Sequence, residues 1–169
     1  MEQFAGQTIA GVSRVKAAKL DLDNYLPYLV NRVGTIIAEQ YGGEALAPHG
    51  LSIAMWRVMA ALASTGVQRQ IDLAALTSIE VSTLSRIVTR LVRMGVVSRT
   101  RSASSTREVV VKLTAKGNAQ VERLIPIALA YESAAIAGLS AQEVALLKGC
   151  LRRVFANMRN RQVTAAAAE

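Results

Sequence analysis

The sequence contains one cysteine, Cys150, and one histidine, His49. A lone cysteine excludes an internal disulfide and points to a reducing compartment. The two residues lie far apart, no nucleophile motif surrounds either, and no ligand cluster has metal spacing. A glycine-rich phosphate loop is also missing. No catalytic residue, metal site or cofactor is therefore assigned, and an enzyme is not expected. No apolar run approaches membrane-spanning length. Arg14, Lys16 and Lys19 follow the weakly apolar N-terminal part instead of preceding it, which is not a signal-peptide layout. Cytoplasmic residence with no membrane partner is the expectation. Aromatic residues are scarce, at 4%, while Ala, Leu and Val abound, which favours helices packed by aliphatic side chains. With 51% hydrophobic and 19% charged residues, the chain is globular.

Acidic residues are the other shortage. The formal net charge is +8, which suits nucleic acid, anionic membrane or acidic-protein partners. The distribution chooses among them. Seven basic residues lie between Arg86 and Lys112 (Arg86, Arg90, Arg93, Arg99, Arg101, Arg107, Lys112) against one acid, Glu108. A second cluster, Arg152, Arg153, Arg159 and Arg161, reads as a solvated face that suits the end of a last helix.

Within residues 80–117, Leu84, Ile87, Val88 and Leu91 recur at i, i+3, i+4 and i+7, giving one apolar stripe over a helix from Val81 to Met94. The opposite face carries Ser82, Thr83, Ser85, Arg86, Thr89, Arg90 and Arg93, and no acid. Gly95 stops the helix. Val96–Thr100 and Glu108–Leu113 then read as a β-hairpin, rich in β-branched residues, with a long polar tip shouldered by Arg101 and Arg107. A basic helix followed by an arginine-tipped hairpin has the shape of a winged helix-turn-helix. The helix can enter a major groove while the hairpin reaches a minor groove or the backbone.

Along the rest of the chain, residues 1–20 read as a flexible N-terminal arm, either a loose end or a segment crossing to a partner subunit. Asp21 or Asp23 caps a helix to about Gln40, with Pro27 in its first turn and Gly42-Gly43 ending it. Pro48-His49-Gly50 is a turn, Ser52 caps a helix over Ile53–Ala63, and a short helix covers about Ile71–Leu76. Thr114 caps a long helix to about Ala137, with a kink at Pro126. Ser140 and Glu143 form a capping box for a last helix to about Asn160, and residues 163–169 read as a frayed tail. The expected architecture is mainly α with a small β-hairpin wing. Residues 50–113 form the winged helix-turn-helix, and residues 21–49 with 114–162 form a helical dimerisation region. The terminal helices hold more apolar surface than the small winged part can cover, and a two-fold homodimer resolves this.

The order helix, helix-turn-helix, wing and two terminal helices, over about residues 22–160, resembles the MarR family of bacterial regulators. Leu73-Ala74, Ser82-Thr83-Leu84-Ser85-Arg86, Arg90-Leu91 and Gly95-Val96-Val97 look like its recognition-helix and junction motifs. Arg107, Val109, Val111, Leu113-Thr114 and Gly117 resemble its wing-end motif. Ser105 stands where the family often has an aspartate that orients the wing arginine, so Arg107 is expected to be less rigidly aimed. Glu80 stands where a serine cap is commoner, and Ser78 or Ser82 can cap instead. The resemblance implies a homodimeric repressor that binds an inverted-repeat operator and is released by a small ligand, often an aromatic acid or phenol.

The residues divide accordingly. Ser82, Thr83, Ser85, Arg86, Thr89 and Arg90 face the major groove. Arg93, Arg99 and Arg101 hold phosphates, and Arg107 meets the minor groove. An effector cleft can be drawn from Tyr25, Tyr28, Arg32, His49, Met55, Trp56 and Met59, with Arg32 or His49 meeting a carboxylate. The same methionines and Trp56 at helical spacing also suit a plain core. Cys150 is either a buried inert thiol or a redox sensor, which would need exposure. A winged-helix module that binds another protein is the alternative outside DNA binding.

Overall fold

In the computed structural model the backbone is described for residues 19–101 and 109–166, with side chains for 19–100 and 109–161. Most of the N-terminal arm, the wing tip with Ser105 and Arg107, the Arg101 side chain and the last three residues lie outside the described residues. The chain divides into two compact units at Thr35/Ile36.

In the first unit, Leu22–Asn24 form a single 3-10 turn. The Asn24 amide donates to the Asp21 carboxylate at 2.6 Å. The expected continuous helix from Asp21 or Asp23 is therefore interrupted. Tyr25 adopts extended backbone, as a residue two positions before proline can, and α1 starts only at Leu26, running Leu26–Gln40 with Pro27 in its first turn.

The second unit continues α1 past its expected end. Gly42 and Gly43 do not break the chain. They lie inside a π-helical stretch, Tyr41–Leu46, followed by a 3-10 turn, Ala47–His49. The wider turn brings Tyr41, Ala45 and Leu46 into the core, and that apolar burial is what outweighs the low helix propensity of two glycines. Gly50, at φ 67°, closes the segment.

Ser52 caps α2 (Ile53–Thr65), accepting from the Met55 N–H at 3.3 Å. A two-residue strand, β1 (Gln68–Arg69), leads directly into α3 (Gln70–Thr77). The turn Ser78–Glu80 joins it to α4 (Val81–Arg93). Gly95, at φ 71°, then turns the chain into β2 (Val97–Arg101), which pairs antiparallel with β3 (Val109–Leu113), Val97 opposite Leu113 and Arg99 opposite Val111. The hairpin expected from the valines is present. It is one part of a three-stranded sheet in the order β1-β3-β2, in which Gln68 faces Val111. This arrangement is a winged helix-turn-helix.

Its core holds Met55, Val58, Met59 and Leu62 of α2, Leu73 and Ala74 of α3, and Leu84, Val88 and Leu91 of α4. Val96, Val97 and Val111 of the wing base join them, with Val121 and Leu124 of the following helix. That helix is α5 (Ala115–Ala135), with Pro126 inside it and not ending it. Glu143 and Ser140 exchange the expected capping-box bonds at the start of α6 (Ala141–Ala166). This helix runs past Asn160, and residues 163–166 of the expected frayed tail are helical.

The wing, α4 and α5 meet at one junction. Thr114 donates from its backbone N–H to the Val96 carbonyl at 3.1 Å and from its hydroxyl to the Gly95 carbonyl at 2.7 Å. The same hydroxyl accepts from the Gly117 N–H at 3.1 Å, capping α5. A Cβ on Gly117 would lie 1.9 Å from the Val96 carbonyl oxygen. The spacing Leu-Thr-x-x-Gly is thus a steric requirement. Gly117→Ala is expected to destabilise the fold by about 2 kcal/mol or more, as overpacking against backbone does. Urea denaturation followed by circular dichroism measures this, and an unchanged midpoint would remove the junction from the account.

Candidate nucleic-acid interface

Helix α4 buries Leu84, Val88 and Leu91, with Ile87 half-buried against the same core. This fixes the helix rotationally and turns Ser82, Thr83, Arg86, Arg90 and Arg93 to solvent, with Ser85 and Thr89 half-buried at the edge of the stripe. Arg86, Arg90 and Arg93, at i, i+4 and i+7, form a cationic row. Arg99 is exposed on β2. Among the described residues, these four guanidiniums have no acidic partner. Unneutralised cations in a row along one face are what phosphate oxygens and guanine edges recognise.

The hydroxyls are less uniform than the sequence suggests. Thr89 donates to the Ser85 carbonyl at 2.8 Å, the back-bonding expected of a mid-helix threonine. Ser82 donates to the Glu80 carboxylate. Both hydroxyl protons are therefore engaged, and these side chains meet a partner as acceptors unless they re-orient.

Glu80 itself caps α4. Its carboxylate accepts from the backbone N–H of Ser82 at 3.0 Å and of Thr83 at 3.1 Å. Neither Ser78 nor Ser82 takes that role: Ser78 adopts φ 54° and ends α3. The longer glutamate side chain reaches the same free N–H groups that a serine cap would, and its charge suits the helix N-terminus. The hydrogen bond from the Ser82 hydroxyl, then those from the two backbone N–H groups, hold the Glu80 carboxyl at about 2, below its ordinary 4.5.

The residues considered for an effector fall in both units, and each unit is described by itself. Tyr28 and Arg32 belong to the first unit, with the guanidinium 5.6 Å from the ring centre, and Tyr25 is exposed there. In the second unit, Met55 and Met59 are fully buried core, the plainer of their two readings. Trp56 is half-buried, edge-on to Tyr41 with ring centres 5.7 Å apart, and Tyr41 stands edge-on to Tyr131 at 5.3 Å. Tyr131 donates its hydroxyl proton to the Glu44 carboxylate, and this bond pushes its own pKa up. Burial, and then Tyr131, push Tyr41 up. Sequence reading left Tyr41 and Tyr131 out of the effector set, because a tyrosine in a π turn and another sixteen positions past the start of α5 share no linear signal. His49 is the last residue of its 3-10 turn. Cys150 is half-buried, its sulfur 3.6 Å from an Arg153 guanidinium nitrogen. Among the described residues, no three His, Cys, Asp or Glu side chains could hold a metal, and no helix is long and apolar enough to cross a membrane.

The fold and the exposed basic helix define a DNA-binding protein of the winged helix-turn-helix class. A model of the MarR family matches residues 51–109. A MarR-family transcriptional regulator of Silicibacter pomeroyi is 31% identical, covers 80% of this chain and 91% of its own, and superposes with a TM-score of 0.72. A MarR variant from E. coli, crystallised with operator DNA, is 27% identical over 76% of this chain and 92% of its own, with a TM-score of 0.69. An HTH-type transcriptional repressor of Mycobacterium tuberculosis is 27% identical over 132 residues, 78% of this chain and 94% of its own. The chain belongs to the MarR family of transcriptional regulators.

The cap gives a pH test. A carboxyl held below its ordinary value stabilises the fold above about 4.5, and the stabilisation is lost as pH falls toward about 2. Glu80→Gln keeps an oxygen acceptor and removes the charge. The melting temperatures of the parent and this variant should differ near neutral pH and converge as pH approaches about 2. Parallel curves across that window would count against the charged cap.

Proposed function

We propose that this protein is a cytoplasmic homodimeric repressor that binds an inverted-repeat operator, with Arg86 and Arg90 reading the major groove. The observation that carries this reading is the row of arginines, without acidic partners among the described residues, on a helix whose other face is locked into the core. An arginine that meets guanine bidentately contributes about 1–3 kcal/mol of discrimination. Ser82, Thr83, Ser85 and Thr89 supply shorter contacts to the same groove. Arg93, Arg99 and Arg101 hold phosphates, which fix register without reading sequence. Arg107 is assigned to the minor groove by its place in the wing. The operator complex of the E. coli relative is consistent with this use of the fold.

Dimerisation is supported by the apolar residues left exposed in a single chain. On α6 these include Leu146, Leu147, Leu151, Val154, Phe155 and Met158, and on α5 Ile125, Ile127 and Leu129. A cleft of about 780 Å³ is also unfilled between Phe155 and Met158 of α6 and Ile71, Ala75 and Val81 of the helix-turn-helix. In the first unit, Leu22, Leu26, Leu29 and Val33 are exposed as well. A second copy would cover these faces and fix two recognition helices about one helical turn, roughly 10 base pairs, apart.

Gel-shift titration at several salt concentrations tests the assignment. Binding should saturate at two chains per operator. Arg86→Ala should weaken operator binding by about 1–3 kcal/mol and relax base preference, while Arg99→Ala should mainly lower the salt slope, by about one unit. Unchanged operator affinity in Arg86→Ala would refute the groove assignment.

Release by a small aromatic or carboxylate effector is the second part of the reading. The half-buried Trp56, stacked edge-on in the Tyr41–Tyr131 group, is the feature that favours it, since apolar walls with a few polar tips suit such a ligand. Release then follows if the ligand prefers a dimer with mis-spaced recognition helices. Saturable quenching of the single tryptophan by aromatic acids is expected, and no response across a broad panel would rule this site out.

A further inference from the structure

We infer that the cleft between the 3-10 turn Ala47–His49 and the first turns of α5 binds a small phosphate-type oxyanion. It shares no lining residue with the recognition helix face or with the aromatic group around Trp56, and it does not depend on the operator reading. The cleft measures about 250 Å³ and is lined by His49, Lys116, Ala119, Gln120 and Arg123. Lys116, Gln120 and Arg123 are spaced i, i+4 and i+7, so one stripe of α5 presents two cations and an amide to one wall. His49 supplies the opposite wall from a different element. No carboxylate lines the space, and among the described residues Arg123 has no acidic partner.

The donors suit an anion with several oxygens. The Lys116 ammonium gives one N–H to the Met94 carbonyl at 2.9 Å, leaving two others. The Arg123 guanidinium offers a planar fork for two oxygens, the Gln120 amide two N–H groups, and the His49 ring at least one. Ala119 is the one apolar residue in the lining, and the other four end in nitrogen donors. The occupant is therefore compact and polar: inorganic phosphate or the phosphoryl group of a monoester. Because Lys116 already holds the last carbonyl of the turn that ends α4, a bound anion would be tied to the C-terminal end of the recognition helix.

His49 is the only histidine, so its ring proton gives a single resonance that reports on this cleft. The full-length protein should be titrated at fixed pH and ionic strength with sodium phosphate, with glycerol 2-phosphate, and with sodium chloride. A saturable His49 shift with phosphate assigns the free ion, and saturation with the ester alone assigns a monoester. Arg123→Gln and Lys116→Gln should each weaken the saturating arm by about tenfold or more, while the thermal melting of each variant shows that it remains folded. The inference is overturned if both phosphates give only the non-saturating response of chloride, or if the folded variants saturate as the parent does.

Discussion

The carbonyl of Val96 is the point on which the reading head depends. It accepts from Thr114, and the first turn of α5 passes so close to it that only a hydrogen atom fits on Gly117. The Thr114 hydroxyl spans the same gap, binding the Gly95 carbonyl and the Gly117 N–H. Three elements of different period, a helix, a strand and a second helix, are joined here by a few hydrogen bonds and one steric constraint. The cationic face of α4 is held in register with the wing by this joint and by the buried stripe Leu84, Val88 and Leu91. Preorganisation of this kind lowers the ordering cost of binding.

Electrostatics at the head are deliberately uneven. Among the described residues, Arg86, Arg90, Arg93 and Arg99 are left without acidic partners, while Glu80 is consumed by the cap of the same helix. A glutamate beside a DNA-facing surface would ordinarily repel phosphates. Here three donors and the positive end of the helix satisfy it, and its charge is spent locally. Asp72, on α3, is likewise engaged by Arg69 at 2.5 Å.

Much of this was legible in the linear pattern, and the exceptions have physical reasons. The apolar stripe of α4, the stop at Gly95, the valine-rich strands and the Ser140/Glu143 box are local signals, and each led to the element found. Two features were not local, and one local cap was read past. The π turn through Gly42-Gly43 exists because Tyr41, Ala45 and Leu46 gain burial that two glycines would not favour on their own. The strand Gln68–Arg69 is two residues long, too short to show alternation, and is created by its partner Val110-Val111. Glu80 was read past as a cap because serine is commoner there, although a longer carboxylate reaches the same N–H groups. For the binding side chains, sequence spacing identified which arginines share a face, but it could not show that the Ser82 and Thr89 hydroxyl protons are already used.

That short strand changes what the wing can do. With β1 on one side and β2 on the other, β3 is bonded along both edges over Val110 and Val111. The stem of the wing is thereby fastened to the residues that lead into α3, and the distance between a contact made by α4 and one made by Arg99 on β2 would be set before any duplex arrives. A protein with a fixed gauge leaves the adjustment to the DNA. Base steps lying between the two contacts would then affect affinity through groove width and bending cost, without being touched.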